Sequence, residues 1–328
     1  MKIERRTFLG SGIALLAGSA AIAQSPPPTP FAGASDAPSF PPRERFRLWP
    51  GSLSGFSRTI VPNWTMNNAP PNRELWIRGV AFPEVHVYRP AHPDGSALLV
   101  LPGGGYEFLS VQNEGLNPAE RFNAERVTTF VLTYRLPAEG WANRSVVPLQ
   151  DAQRAMRLIR ARAAQFNIDP ARLGVLGFSA GGHLAADLAV SHAEKIYAPI
   201  DAADALSARP AFVGLLYPVI ILDTKVSEGN SSPNLLGDTP SPDLVTSRSP
   251  ALHVAGDTPP SFIVAAFDDG LVHVDNSLGW IEACRRSKVS VEAHLFAEGG
   301  HGFGMHLPKD QPGSLWPDLF ALWLRKHG

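Results

Sequence analysis

The chain has 328 residues, 44% hydrophobic and 18% charged, with 29 basic side chains against 30 acidic ones and a net charge of -1. That length and apolar content suffice for one large domain with a well-buried core. The balanced charge offers no attraction to nucleic acid or an anionic membrane surface, and a lone cysteine, Cys284, excludes an intrachain disulfide.

Residues 1–23 read as an export signal. Glu4-Arg5-Arg6-Thr7-Phe8-Leu9 is a basic start. The apolar stretch from Ile13 to Ile22 is too short to span a bilayer, and Ala21-Ile22-Ala23 is a small-residue cleavage pattern before Gln24. The paired arginines resemble a twin-arginine signal, which is a receptor-read address and no membrane anchor. A periplasmic or secreted protein cleaved after Ala23 is therefore expected. Residues 24–45 are rich in Pro, Ser and Ala and read as a linker, leaving 46–328 as the folded domain.

Phe46 to Arg78 reads mostly as loop, its Trp49, Trp64 and Trp76 being packing anchors or a sugar-stacking rim. Gly79 to Arg89 alternates as a strand should, with Val85 and Val87 on one face. Ala97 to Leu101 is a continuous apolar run, a buried strand that ends at Pro102-Gly103-Gly104-Gly105-Tyr106. Asn117 to Glu125 predicts a helix and Val127 to Tyr134 a strand. Pro148 to Phe166 predicts a longer helix, with Leu149, Ala152, Ala155, Met156 and Ile159 in an apolar stripe. Its arginines 154, 157, 160 and 162 fall largely off that stripe and read as a solvated face.

Leu173 to Leu176 is again a buried strand, followed by the sharp turn Gly177-Phe178-Ser179-Ala180-Gly181 and a small-residue helix from Ala180 to about Val190. Phe212 to Leu222 predicts a further strand, and Asp223 to Pro260 loop with short helices. Phe262 to Phe267 and Val289 to Phe296 predict strands, Asn276 to Arg286 and Ser314 to Lys326 helices. Strands alternating with helices imply a parallel sheet covered on both faces. Cys284 falls in a helical stretch as a small buried hydrophobe. His301 and His306 lack zinc-site spacing, and no metal or cofactor is expected.

The turn around Ser179 organises the chemistry. A serine between strand and helix, flanked by glycines, is held in a strained conformation with its hydroxyl outward. A serine hydroxyl needs a base to attack a carbonyl, and His301 lies among glycines on a tight loop after a strand. A carboxylate must hold the other imidazole nitrogen, and Asp268 and Asp269 directly follow the strand ending at Phe267; the residues themselves leave the choice open. The order Ser, Asp, His is that of the α/β-hydrolases. Each group follows a strand, so all emerge at the carboxyl edge of one sheet. For an oxyanion, the loop bearing Gly104 and Gly105 offers backbone N–H groups beside that of Ala180.

The residues L-W-P-G at 48–51, P-G-G-G-Y at 102–106, P-L-Q-D-A-Q-R-A at 148–155 and G-F-S-A-G-G-H-L-A at 177–185 carry a resemblance, joined by N-L-L-G-D at 234–238, S-P-A-L-H-V at 249–254 and G-G-H-G-F-G at 299–304. The chain resembles, from about Phe46 to its C-terminus, the bacterial α/β-hydrolase branch of acetyl xylan esterase-like carbohydrate esterases. The resemblance implies a serine esterase acting on short acyl, foremost acetyl, esters of plant polysaccharides, with an acetylated polysaccharide or oligosaccharide as its partner. A feruloyl or general small-ester carboxylesterase and a peptidase of the same fold are the alternatives, as is a non-catalytic carbohydrate-binding protein on a hydrolase scaffold. Two departures stand out. Pro102 replaces the histidine of a lipase-type H-G-G-G loop, as in the resembled branch. Asp268-Asp269-Gly270-Leu271-Val272-His273 lacks both prolines of that branch's D-D-P-x-V-P pattern. Alignment to the pattern implies Asp269 as the acid, with Asp268 as the alternative.

Overall fold

The computed structural model describes residues 38–51, 59–67, 73–223 and 229–328. The expected export signal, its Arg5 and Arg6, the cleavage site at Ala23 and most of the linker lie outside the described residues. The strands are β1 (Arg45–Arg47), β2 (Asn63–Asn67), β3 (Glu74–Arg78), β4 (Glu84–Tyr88), β5 (Ala97–Leu101), β6 (Leu109–Ser110), β7 (Thr128–Thr133), β8 (Leu173–Phe178), β9 (Val213–Leu216), β10 (Ser261–Ala266) and β11 (Val291–Phe296). The α-helices are α1 (Asn117–Ala124), α2 (Val147–Ala161), α3 (Ala163–Phe166), α4 (Ser179–Ser191), α5 (Ser231–Leu236), α6 (Pro242–Ser247), α7 (Asp275–Ser287) and α8 (Trp316–His327).

The main sheet has eight strands in the order β1-β4-β7-β5-β8-β9-β10-β11. β1, β4 and β7 pair antiparallel, and from β7 to β11 every pairing is parallel. The interior strands β5, β7, β8 and β10 are buried along their whole length, as parallel strands covered on both faces must be. Alternate side chains feed two cores. Leu99, Leu101, Val175 and Ile263 pack with Ala152, Met156 and Ile159 of α2, Leu184 and Leu188 of α4, and Trp280 of α7. Leu98, Val100, Leu176 and Val264 pack on the opposite face with Phe122 of α1 and with Trp316 and Phe320 of α8. This is the α/β-hydrolase architecture, a mostly parallel sheet with helices on both faces.

Several expectations change. The folded chain begins before Phe46: Phe40 is buried, 5.5 Å from Trp64 and 4.7 Å from His86 between ring centroids. The segment Phe46 to Arg78, read as loop, instead supplies β2 and β3, which join β6 in a second, three-stranded antiparallel sheet. Leu75 and Ile77 are its buried face, an alternation too short to stand out beside the Pro-rich residues around it. The strand expected over Phe212 to Leu222 stops at Leu216. Tyr217 takes φ +36° and turns the chain away, and Asn276 Oδ1 accepts the N–H groups of Ile220 and Ile221 at 2.9 and 2.8 Å in place of a strand partner.

The arginine face of α2 is partly covered, not fully solvated. Arg154 is buried and pairs with Asp201 at 2.6 Å and Asp204 at 2.9 Å, its Nε donating to Leu48 O at 3.0 Å. Arg157 donates to Leu206 O and to Tyr197 Oη, and Arg160 to the carbonyls of Ser207 and Arg209. The loop 197–209 thus folds over this face, and its carbonyls and carboxylates hold the guanidinium groups. The helix also ends sooner than expected, at Ala161, before the separate turn α3.

Candidate active site

β5, β8, β10 and β11 end at the same edge of the sheet, and the loops that follow them carry the residues singled out from the sequence. Ser179 follows β8 directly as the first residue of α4, at φ +51°, a conformation that costs a non-glycine residue about 1–3 kcal/mol. Packing enforces it. A Cβ on Gly177 would lie 2.1 Å from Gly181 O, and one on Gly181 2.1 Å from Leu101 O. The turn is therefore tighter than side chains allow, and the Ser179 side chain projects from it.

Ser179 Oγ lies 2.9 Å from His301 Nε2, and His301 Nδ1 lies 2.7 Å from Asp269 Oδ2. A carboxylate only accepts, so Nδ1 carries the proton and Nε2 is left to accept from the serine hydroxyl. The Asp269 side chain is fully buried, and its Oδ1 accepts the N–H groups of Leu271 and Val272 at 2.9 and 2.8 Å. Asp268, the alternative acid, does not face the imidazole. Its carboxylate accepts the N–H groups of Gly299 at 3.2 Å and Gly300 at 2.8 Å, clasping the loop that bears His301.

Gly104 and Gly105 have φ +122° and +62° and line the same pocket as Ser179. Their N–H groups have no acceptor among the described residues. Ala180 stands in the first turn of α4, where N–H groups lack intrahelical partners and the helix end is positive. The loop is braced from behind: Tyr134 donates to Pro102 O at 2.6 Å and Asn234 Nδ2 to Gly105 O at 2.8 Å.

A family model described as BD-FAE matches residues 85–282, which run from β4 through the serine turn and into α7. The chain belongs to the BD-FAE family of α/β-hydrolases. An acetylxylan esterase of Xylanibacter ruminicola is 34% identical to it over 229 residues, 66% of this chain and 43% of that protein. An endo-1,4-beta-xylanase B of Butyrivibrio fibrisolvens is 36% identical over 205 residues, 62% of this chain and 32% of that protein. The chain thus spans less than half the length of these two relatives. A crystal structure of an acetyl ester-xyloside bifunctional hydrolase from Caldicellulosiruptor lactoaceticus superposes with a TM-score of 0.68 at 35% identity, covering 75% of this chain and 88% of that one.

The motifs that carried the resemblance take separate positions in this BD-FAE chain. L-W-P-G and P-L-Q-D-A-Q-R-A meet away from the serine: Trp49 Nε1 donates to Asp151 Oδ1 at 2.7 Å, and Arg135 closes a buried ion pair with Asp151 at 2.7 Å. Trp49 is therefore a packing anchor. His183, next to the serine turn, is buried between Tyr106 Oη and Arg248 O at 2.8 Å each, and burial lowers its pKa, so it stays neutral and structural. Cys284 is buried, its thiol pushed up to about 12.

Sequence reasoning offered Trp76 as part of a sugar-stacking rim and missed Phe108, Glu74 and Glu114. Ser179 and His301 open onto a pocket of about 400 Å³ that is also lined by Trp76, Phe108, Glu74 and Glu114. Trp76 and Phe108 stack with ring centroids 3.6 Å apart and planes 13° apart. A second cleft of about 300 Å³ reaches His301 from the side of Phe303 and His306. Glu114 is buried; its Oε2 accepts Gly103 N–H at 2.7 Å and its Oε1 accepts Tyr217 O–H at 2.8 Å. Burial is the largest influence on Glu114 and raises its pKa to about 7. The Tyr217 hydrogen bond opposes that rise, the neighbouring Glu74 adds to it, and Gly103 N–H and His301 oppose it. An acidic residue in N-E-G-L, ahead of α1, carries no motif, and only the burial identifies it. Among the described residues there is no group of His, Cys, Asp or Glu suited to a metal ion.

Proposed function

We propose that this chain is an exported serine esterase that removes short acyl groups, acetyl foremost, from plant polysaccharides. The observation that carries the reading is the Asp269–His301–Ser179 alignment at a strained turn, in a pocket also lined by Gly104 and Gly105, whose N–H groups have no acceptor among the described residues. Ser179 Oγ attacks the ester carbonyl carbon while its proton passes to His301 Nε2, and Asp269 stabilises the imidazolium. The carbonyl oxygen becomes an oxyanion before Gly104, Gly105 and Ala180, where each donor contributes about 10² to 10³ in rate. Collapse breaks the ester C–O bond, and the leaving sugar hydroxyl takes the proton back from His301. Water then attacks the acyl-enzyme, gives a proton to His301, and releases the acid as Ser179 regains it.

The pocket supports a sugar on the leaving-group side. The stacked Trp76 and Phe108 present aromatic surface at its rim, and the exposed Glu107 carboxylate beside them offers an acceptor for a sugar hydroxyl. The relatives named for acetyl ester and xylan chemistry support the same substrate class. The test is fluorophosphonate labelling with mass mapping, followed by assays on acetylated xylan, acetylated pectin, feruloylated xylan and p-nitrophenyl acetate. Label on Ser179, abolished in Ser179→Ala and His301→Ala, and acetate release from xylan are the expected results. An unlabelled protein would make it a binding protein on a hydrolase scaffold. Preference for the feruloylated substrate would replace the acetyl reading.

A further inference from the structure

The turn Gln112–Leu116 is π-helical, an irregularity inserted directly ahead of α1. π-Turns are rare and concentrate at functional sites. This one places consecutive polar side chains, Asn113 and Glu114, inside the protein, 5% and 3% exposed. Buried polar groups cost stability unless fully bonded, and apolar side chains of similar volume would serve a core as well or better. What these two side chains bind therefore matters.

All their hydrogen bonds go to the loops around Ser179. Asn113 Nδ2 donates to Gly302 O at 3.0 Å and its Oδ1 accepts Met305 N–H at 3.3 Å, so it grips the chain on the C-terminal side of His301. Gly304, within that span, has φ +45°, and a Cβ there would lie 2.2 Å from Asn113 Oδ1, which requires glycine at this position. Glu114 holds Gly103 N–H of the loop after β5. Through Tyr217 it also reaches the histidine loop, because Tyr217 Oη donates to Glu114 and accepts Gly304 N–H at 3.0 Å. Tyr217 further lies edge-on to His301, with ring centroids 5.1 Å apart. Gln112 Oε1 accepts Leu75 N–H at 3.0 Å, tying the same turn to β3 and its Trp76.

We propose that the π-helical turn sets the spacing between the oxyanion loop and the histidine loop, with Asn113, Glu114 and Tyr217 as positioning residues. This rests on the esterase reading given above. None of the three touches the reacting atoms. Glu114 fixes Gly103, so that Gly104 and Gly105 present their N–H groups, while Asn113 and Tyr217 fix the loop from which His301 reaches Ser179. The loops come from distant parts of the chain and make no shared secondary structure. A displacement of about 1 Å between them would cost on the order of 10²-fold in rate.

The test compares Asn113→Ala, Glu114→Gln, Tyr217→Phe and the pair Glu114→Gln/Tyr217→Phe, all as full-length protein. On p-nitrophenyl acetate, kcat is expected to fall roughly tenfold to a hundredfold with KM within about twofold, because transition-state geometry is lost and not ground-state binding. The pair is expected to lose no more than the worse single variant, since both act through one connection. A second readout needs no turnover: the low-field proton on His301 Nδ1, assigned by its disappearance in Asp269→Asn, should broaden or shift in Asn113→Ala well below that variant's melting temperature. Unchanged kcat in Glu114→Gln and Tyr217→Phe, or an unaltered His301 proton in Asn113→Ala, would overturn the proposal. Loss of kcat only in proportion to unfolded protein would also overturn it. A wild type that shows the proton but hydrolyses no ester would reject the esterase reading and leave the positioning role to be decided by the proton.

Discussion

Asp269 and His301 are 32 residues apart in the chain, and their facing atoms are 2.7 Å apart. Asp268, one residue earlier, turns the other way and holds the backbone of Gly299 and Gly300. The two carboxylates therefore differ in what their loss would do. Asp269→Asn offers the imidazole a donor or a weaker acceptor and disfavours the Nδ1–H tautomer. It should lower kcat by about 10⁴. Asp268→Asn keeps an acceptor for one glycine N–H and should leave the rate within about tenfold. Steady-state kinetics on p-nitrophenyl acetate decide it, and the reverse ranking would remove Asp269 from the proposed triad.

Glu114 gives a pH dependence of stability whose sign is fixed by its direction of shift. The folded protein holds its carboxyl proton up to about pH 7, whereas the unfolded chain releases it near 4.5. Below 4.5 both states are protonated and nothing is lost. Between 4.5 and 7 the folded state binds more protons, so stability falls as pH rises, and above 7 the full penalty is present, on the order of 3 kcal/mol. Glu74, Tyr217 and His301 are the titratable groups that act on it. Chemical denaturation at pH 5 and pH 8 should show that Glu114→Gln gains on the wild type over this interval. An equal difference at both pH values would contradict the assigned shift.

Removing the Arg154 guanidinium would leave Asp204, whose side chain is 2% exposed, without its cationic partner and held by Tyr197 Oη and the Ile200 N–H. Arg154→Ala should cost about 3–5 kcal/mol and release the loop 197–209 to proteolysis. Arg154 does not line the pocket, so activity per folded molecule should be kept at low temperature. A melting temperature within a degree of wild type would mean that the pair contributes nothing.

Substrate preference should divide at the serine. Between Leu222 and Ser261 the described α-helices are α5 and α6, each of six residues, and neither forms a long apolar lid over an acyl chain. A series of p-nitrophenyl esters from acetate to decanoate should peak at acetate or propionate. A buried methylene contributes about 0.8 kcal/mol only where a pocket receives it. Trp76→Ala should raise KM on acetylated xylo-oligosaccharide about fivefold and leave p-nitrophenyl acetate nearly unchanged. Activity rising toward octanoate would point instead to a lipid-type esterase.

Export is expected through the paired arginines. N-terminal sequencing of periplasmic or secreted protein should begin at Gln24, and Arg5→Lys with Arg6→Lys should abolish export of folded protein. Undiminished export of that double variant would indicate an ordinary secretory signal.

The sequence by itself determined the frame. Apolar runs such as Ala97–Leu101 and Ser261–Ala266 are buried on both faces because parallel strands offer no solvent side, so composition alone located them. The serine turn was legible because its glycines are demanded by contacts of 2.1 Å, a steric requirement that local sequence must satisfy. The tertiary structure decided what depends on partners distant in the chain. Which aspartate meets His301 depends on the path of the loop after β10. Arg154 looked solvent-facing by helical period and is buried because the loop 197–209 closes over it. β3 brings Trp76 to the pocket only by pairing with β2 and β6. Glu114 belongs to no local pattern: its partners lie 11 and 103 residues away, and burial together with those partners, present only in the folded chain, gives that carboxyl its altered proton affinity.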